Sequence, residues 1–136
     1  MKCKTTVKIN HEAIRKIQDA ALRAMDLTAE AVKSDIVARQ VVPKDVDTLE
    51  KSGHVEEIKQ GVYAVIYNTP YARRWYFNLP TTDKNGKHYR PATFQKTQNS
   101  NAQDHWFDYY LDGDGKEWVI QTFLELWKEE AGGLIK

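Results

Sequence analysis

A chain of 136 residues, 41% apolar and 29% charged, has the length of one domain and enough apolar side chain for a modest core. Its 20 Lys and Arg against 19 Asp and Glu leave a formal charge of +1, which argues against a dedicated duplex-binding domain, since such domains gather a clear basic excess. No run approaches the ~18 apolar residues of a membrane span, the start lacks the apolar centre of a signal peptide, and the one cysteine, Cys3, offers neither an internal disulfide nor a zinc constellation. The expectation is a single domain over residues 1–136, kept in a cytosol, with no membrane partner.

Residues 4–9, KTTVKI, alternate Thr5, Val7 and Ile9 against Lys4, Thr6 and Lys8, the period of a half-buried first strand. Asn10 then offers a helix N-cap. Ile14, Ile17, Ala21, Met25, Thr28, Val32 and Ile36 recur at spacings of three and four, with Lys16, Asp19, Arg23, Asp26, Glu30 and Lys33 on the other face. A helix from about residue 11 to 40 is roughly 45 Å long, more than one small sheet needs as cover, so part of it is expected to meet something else. Asp19 with Arg23, and Asp35 with Arg39, read as pairs on a solvated helix surface.

Pro43 is expected to end this helix. Asp47 then caps a single turn through Leu49, closed by Gly53. HVEEIK and VYAVIYN, joined at Gln60-Gly61, read as a β-hairpin. Its second strand, residues 62–67, is apolar on both sides, which predicts a place inside a sheet. Residues 78–104 hold few apolar side chains, namely Leu79, Tyr89, Ala92, Phe94 and Ala102, and so bury little by themselves. Asn85-Gly86 there is the signature of a type I′ turn, and the segment reads as an exposed β-arm followed by a mobile connection. In the last quarter Trp118, Val119, Thr122, Phe123, Leu126 and Trp127 form an apolar stripe opposite Glu117, Gln121, Glu125 and Lys128. That helix is expected from near Asp114 to Ala131, ahead of Gly132-Gly133.

The stretch YNTPYARRWYFNLP, residues 67–80, surrounds Arg73 and Arg74 with Tyr and Trp rings. Arginine beside exposed rings can stack on bases and pair with phosphates. Equally, Tyr71, Trp75 and Phe77 can belong to a short helix after Pro70 that plugs one end of the sheet, with Arg73 and Arg74 ion-paired to acidic neighbours within or between subunits; this packing reading is preferred. Catalytic and metal constellations fail on spacing. A calcium loop with Gly113 at its sixth position puts Asp108 first but Tyr110 third and Val119 twelfth, so Asp112 or Asp114 is read as a helix cap. His11, His54, His88 and His105 include no pair at i, i+4; no nucleophile stands out, with Cys3 near a chain end and Ser34 on the long helix, and no Gly-x-Ser-x-Gly or phosphate-cradling Gly-rich loop occurs. An enzyme would require His88, His105 or Asp104 to converge. No catalytic residue, cofactor or metal ligand is assigned.

Three motifs carry a resemblance. Pro43, Asp45, Leu49 and Ser52 come first, then Tyr67, Asn68, Thr69, Pro70, Tyr71, Ala72 and Arg73, and finally the pair Trp106-Phe107 ahead of the closing helix. In this order, over roughly residues 40–130, the chain resembles the minor capsid or head–tail connector (tail-completion, neck) proteins of long-tailed bacteriophages. It departs from that pattern at Val46-Asp47, where the family has Thr-Gly. The resemblance implies a virion protein, held in the host cytoplasm before assembly, that forms a homo-oligomeric ring with portal, neck or tail proteins while DNA passes without specific binding. Together with the elements above it implies an α+β fold, a long N-terminal and a C-terminal helix packed on a small, mostly antiparallel sheet with an extended polar hairpin arm. The interface candidates are Tyr71, Arg73, Arg74, Trp75, Asn85, Gly86, Tyr89, Trp118 and Trp127. The alternative is a small nucleic-acid-binding module using the cluster at 71–77.

Overall fold

The computed structural model describes residues 5–44 and 48–135. Cys3, Lys4, Asp45, Val46 and Asp47, including the expected cap of the single turn, lie outside the described residues. The fold is α+β, with a long N-terminal helix, a C-terminal helix and two short antiparallel hairpins.

Helix α1, His11–Ala38, starts where the Asn10 side chain accepts a hydrogen bond from the Ala13 amide at 3.0 Å. Its buried positions are Ala20, Ala24, Thr28 and Ile36, whereas Ile14 and Met25, expected in the stripe, remain 43% and 36% exposed. Small side chains four apart let the closing helix come close, and that shifts the seam away from the larger residues. The buried Thr28 hydroxyl donates to the Ala24 carbonyl at 2.6 Å, so it is not left unsatisfied. α1 stops earlier than Pro43, because Gln40 takes a left-handed backbone (φ 56°) while its amide donates to the Val37 carbonyl at 3.1 Å.

Helix α4, Gly113–Glu130, capped by Asp112, runs antiparallel to α1. Asp35 meets Tyr110 at one end of the pair. At the other, the Trp127 indole N–H donates to the Ile17 carbonyl at 3.0 Å and Arg23 pairs with Glu130 at 2.9 Å. The pairs expected along α1 are therefore not made. Arg23 is taken by Glu130 instead of Asp19, and Arg39 lies 3.7 Å over the Tyr109 ring while Asp35 accepts from Tyr110. The expected α4 stripe does face inward and ends at Ala131 before Gly132 and Gly133, both with positive φ.

Between the helices come α2, Thr48–Lys51, and the hairpin β1, His54–Lys59, with β2, Val62–Ile66. Val55 is opposite Val65, with a bulge between Glu57 and Lys59. Among the described residues β2 pairs with β1 alone, contrary to the expected interior strand. Val65 and Tyr67, on one side of the strand, pack on the core, whereas Val62 on the other side is 41% exposed. Residues 5–9 form no strand either; Val7 and Ile9 are 79% and 60% exposed, because no partner strand lies beside them.

The core gathers Ile36, Val41, Val42, Leu49, Ala72, Trp106 and Tyr110 near the C-terminal end of α1. Against it are drawn residues 99–103, which the sequence marks as part of a mobile connection. The Asn99 amide donates to the Val42 carbonyl at 2.9 Å and to Glu50 at 3.1 Å, Asn101 N–H to Gln40, and Gln103 N–H to Val41 at 2.9 Å. Polar side chains anchor this segment where apolar ones were looked for.

Candidate functional site

The second motif folds as a corner. Tyr67, just past β2, meets Trp106 edge-on at 5.7 Å and Phe107 at 5.8 Å, and its ring closes over Gly53, where an added Cβ would come within 2.7 Å of it. Burial, reinforced by Glu50, pushes the Tyr67 phenol up to about 12. The Thr69 carbonyl accepts from the Ala72 amide at 3.1 Å, opening helix α3, Ala72–Phe77. Ala72 is buried, so the helix is pinned by its smallest residue and its larger ones fan outward.

Those larger residues have different fates. Tyr76 packs edge-on to Trp106 at 4.9 Å and donates its hydroxyl to Asp108 at 2.9 Å; desolvation and this acceptor raise it to about 12. Trp75 meets Phe94 at 5.7 Å. Tyr71, in contrast, is 66% exposed. Neither Arg73 nor Arg74 forms the expected ion pair among the described residues. Arg73 lies 5.9 Å over Phe77, and Arg74 donates to the Thr81 hydroxyl at 2.6 Å while sitting 5.4 Å over the Tyr89 ring.

Arg74 thereby fastens the arm to α3. The arm's base is closed by Asn78, whose side chain donates to the Ala92 carbonyl at 2.8 Å and accepts from the Ala92 amide at 2.7 Å. Above it β3, Thr81–Thr82, pairs with β4, His88–Tyr89. The turn is not type I′. Gly86 alone has positive φ (82°), its amide donates to the Asp83 carbonyl at 3.0 Å, and Asp83 bonds Lys87, the pattern of a type I turn followed by a left-handed glycine. What decides between them is Asp83, whose carboxylate accepts from the amides of Asn85 at 2.9 Å and Lys87 at 3.0 Å, with the Tyr89 hydroxyl at 3.3 Å. Those donors hold its pKa below the ordinary carboxylate value. A Cβ added at Gly86 would meet no atom within 4 Å, so the tip stands clear of the body.

Between the corner, α2 and residues 92–95 opens a groove of about 550 Å³ lined by Pro43, Leu49, Pro70, Tyr71, Trp75 and Phe94, with Lys44 at its edge. Lys44 pairs with Glu50 at 3.0 Å. Rings and prolines here suit an apolar or prolyl side chain of a partner. Of the interface candidates, Tyr71, Trp75, Arg74 and Tyr89 surround this groove and the arm's base, with Arg73 beside them on α3 and Asn85 and Gly86 at the arm's tip. The other two are used internally: Trp118 packs with Tyr110 at 6.2 Å, and Trp127 stacks on Phe123 and bonds α1. Asn78 and Asp83, which shape the arm, escape sequence reading, although an Asp two residues before Asn-Gly is a recognisable turn signal.

Among the described residues no group of three or more His, Cys, Asp or Glu converges as for a metal ion, and no helix is long and apolar enough to cross a membrane. Comparison with family models, with curated proteins and with solved structures finds no match.

Proposed function

We propose that this chain is a structural virion protein of a tailed phage or prophage, acting in head–tail joining, at the neck or in tail completion, by forming a ring with other copies. The carrying observation is the corner made by the second motif. It leaves Tyr71 two-thirds exposed over an apolar groove, next to an arm whose Gly86 tip has open space around it. A groove and a projecting arm on one protomer are the two halves of a heterologous contact, which closes into a ring when the rotation allows. Exposed apolar side chains elsewhere, Leu79 at 61% and Leu111 at 67%, add surface suited to burial between proteins. The resemblance of the three sequence motifs supplies the biological setting, a virion built in the host cytoplasm around a channel through which DNA passes.

The nucleic-acid reading has less support, since Trp75 and Tyr76 spend their faces on Phe94 and Trp106 and Arg74 is turned to the arm. The deciding experiment is solution mass by light scattering with negative-stain imaging. Discrete rings of the 15.7 kDa chain are expected. A single-chain mass at every concentration, with no ring on grids, would overturn the reading.

A further inference from the structure

Residues 5–9 have the alternation of a strand but no strand to join, and β1 and β2 form a sheet in which, among the described residues, each strand has one pairing edge unused. A two-stranded sheet is stabilised by packing on a helix or by a third strand; here α1 supplies the first, and the unused edges leave room for the second. We propose that residues 5–9 of one copy add to the free edge of β1 in a neighbouring copy. The acceptor being another copy, this rests on the assembly reading above and names one of its contacts.

Charge and exposure select β1 over β2. β1 presents Glu56, on the side opposite Val55, and an Ile58 that is 57% exposed. The donor carries Lys8, with Thr6 one period and Lys4 two periods earlier, on one side, and Val7 and Ile9 on the other. With Val7 and Ile9 continuing the face of Val55 and Val65, Lys8 falls on the side of Glu56, so opposite charges are cross-strand neighbours. Backbone hydrogen bonds supply the pairing and the alternating side chains its register.

Reach requires a second copy. The turn end of the hairpin lies by Leu22, 3.5 Å from the Cβ position of Gly61, and its other end lies by Lys33, whose charge acts on His54. Measured along α1 from Asn10, these points are roughly 18 Å and roughly 35 Å away at 1.5 Å per residue. Residues 5–9, fully extended, span roughly 17 Å. They would be used up in reaching the turn, with nothing left to lie along β1 of their own chain.

The test uses a fluorescent peptide of residues 2–10 titrated against the chain beginning at residue 10, with far-UV circular dichroism confirming that the shortened chain folds. Saturable binding is expected, weakened at least tenfold by Val7→Asp with Ile9→Asp in the peptide and by Glu56→Lys in the protein. Amides of residues 55–59 should gain exchange protection. Absence of saturable binding, or binding indifferent to Val7→Asp with Ile9→Asp, overturns the proposal. If the shortened chain still forms the same rings as the full one, strand addition is overturned while assembly stands. If the full chain never forms rings yet the peptide binds with the stated dependence, the strand site stands and the ring reading falls.

Discussion

The Tyr110 hydroxyl donates to Asp35 at 2.5 Å across 75 positions of sequence, tying the last turns of α1 to the entry of α4. Burial, with Asp35 as acceptor, raises the Tyr110 pKa, so the phenol stays a donor beyond the alkalinity at which an exposed tyrosine ionises. Tyr110→Phe keeps the ring and removes the bond; we expect a loss of about 1–2 kcal/mol in urea unfolding. Tyr67→Phe should behave oppositely. The Tyr67 hydroxyl is buried with no hydrogen-bond partner, so its removal should leave the midpoint unchanged or raise it. A loss in Tyr67→Phe as large as that in Tyr110→Phe would contradict the unpaired state of the Tyr67 hydroxyl, and no loss in Tyr110→Phe would contradict the Asp35 bond.

Gly115, buried in the first turn of α4, sits against the segment that carries Tyr110. A Cβ there would fall 1.9 Å from the Tyr109 carbonyl oxygen, a backbone atom that cannot swing aside. Gly115→Ala must therefore move α4 or the 3₁₀ turn Asp108–Tyr110, at a cost of about 1–3 kcal/mol or more. Gly113→Ala has open space and strains only a positive φ of 59°, about 1–2 kcal/mol. Thermal melts of the two variants should rank Gly115→Ala lower, and the reverse order would contradict the contact.

The elements with long, regular patterns were legible: the α1 boundaries near Asn10, the β1–β2 hairpin at Gly61, and the α4 stripe from Trp118 to Trp127 all depend on periodicity and local caps. What periodicity cannot encode is choice of partner. Arg23 has Asp19 four residues away, yet binds Glu130, which α4 brings to 2.9 Å. Residues 99–103 look solvated because all but Ala102 are Asn, Gln or Ser, yet their amides satisfy carbonyls of residues 39–42. KTTVKI has a strand's alternation with no strand beside it, so pattern specifies a preference and tertiary context withholds the pairing. At the site, the corner and arm were visible as Pro70 and Asn85-Gly86. Their fastening by Arg74, Asn78 and Asp83 was not, since each bond joins residues whose proximity depends on the folded loop.

His54, at the start of β1, places Nδ1 at 2.7 Å from the Ser52 carbonyl and Nε2 at 3.0 Å from Glu56. Both contacts want a donating nitrogen, so the doubly protonated ring is favoured and its pKa is raised above 6.5, through the Ser52 carbonyl first and Glu56 second. The folded state then binds the proton more tightly than the unfolded one. Its contribution is full below the unfolded pKa and is lost as pH rises through the folded value. A proton NMR titration of the imidazole should show a midpoint above 6.5 that falls in Glu56→Gln; a midpoint at or below 6.5 would contradict the paired geometry.

Asp83 runs the other way. Its carboxylate is stabilised as the anion by the Lys87 and Asn85 amides and the Tyr89 hydroxyl, which lowers its pKa. The turn is held above the unfolded carboxylate pKa and released as pH falls through the lower, folded value. Amide exchange at residues 84–89 should therefore be insensitive to pH changes near neutrality, once the intrinsic rate is removed, and lose protection only in acid. Asp83→Ala should show the unprotected behaviour at every pH.

Deleting residues 82–89 separates folding from assembly. The deletion takes away the tip, β4 and the Asp83 turn, but the Asn78–Ala92 pair closes the base without them, and the core at Trp106, Ile36 and Val42 lies elsewhere. Helical circular dichroism and the melting midpoint should stay near those of the full chain. Ring formation and the joining of heads to tails should be lost, because the segment that reaches past the protomer's own surface is gone. A deletion variant that unfolds would show the arm to be part of the body, and one that still joins heads to tails would remove the arm from the proposed mechanism.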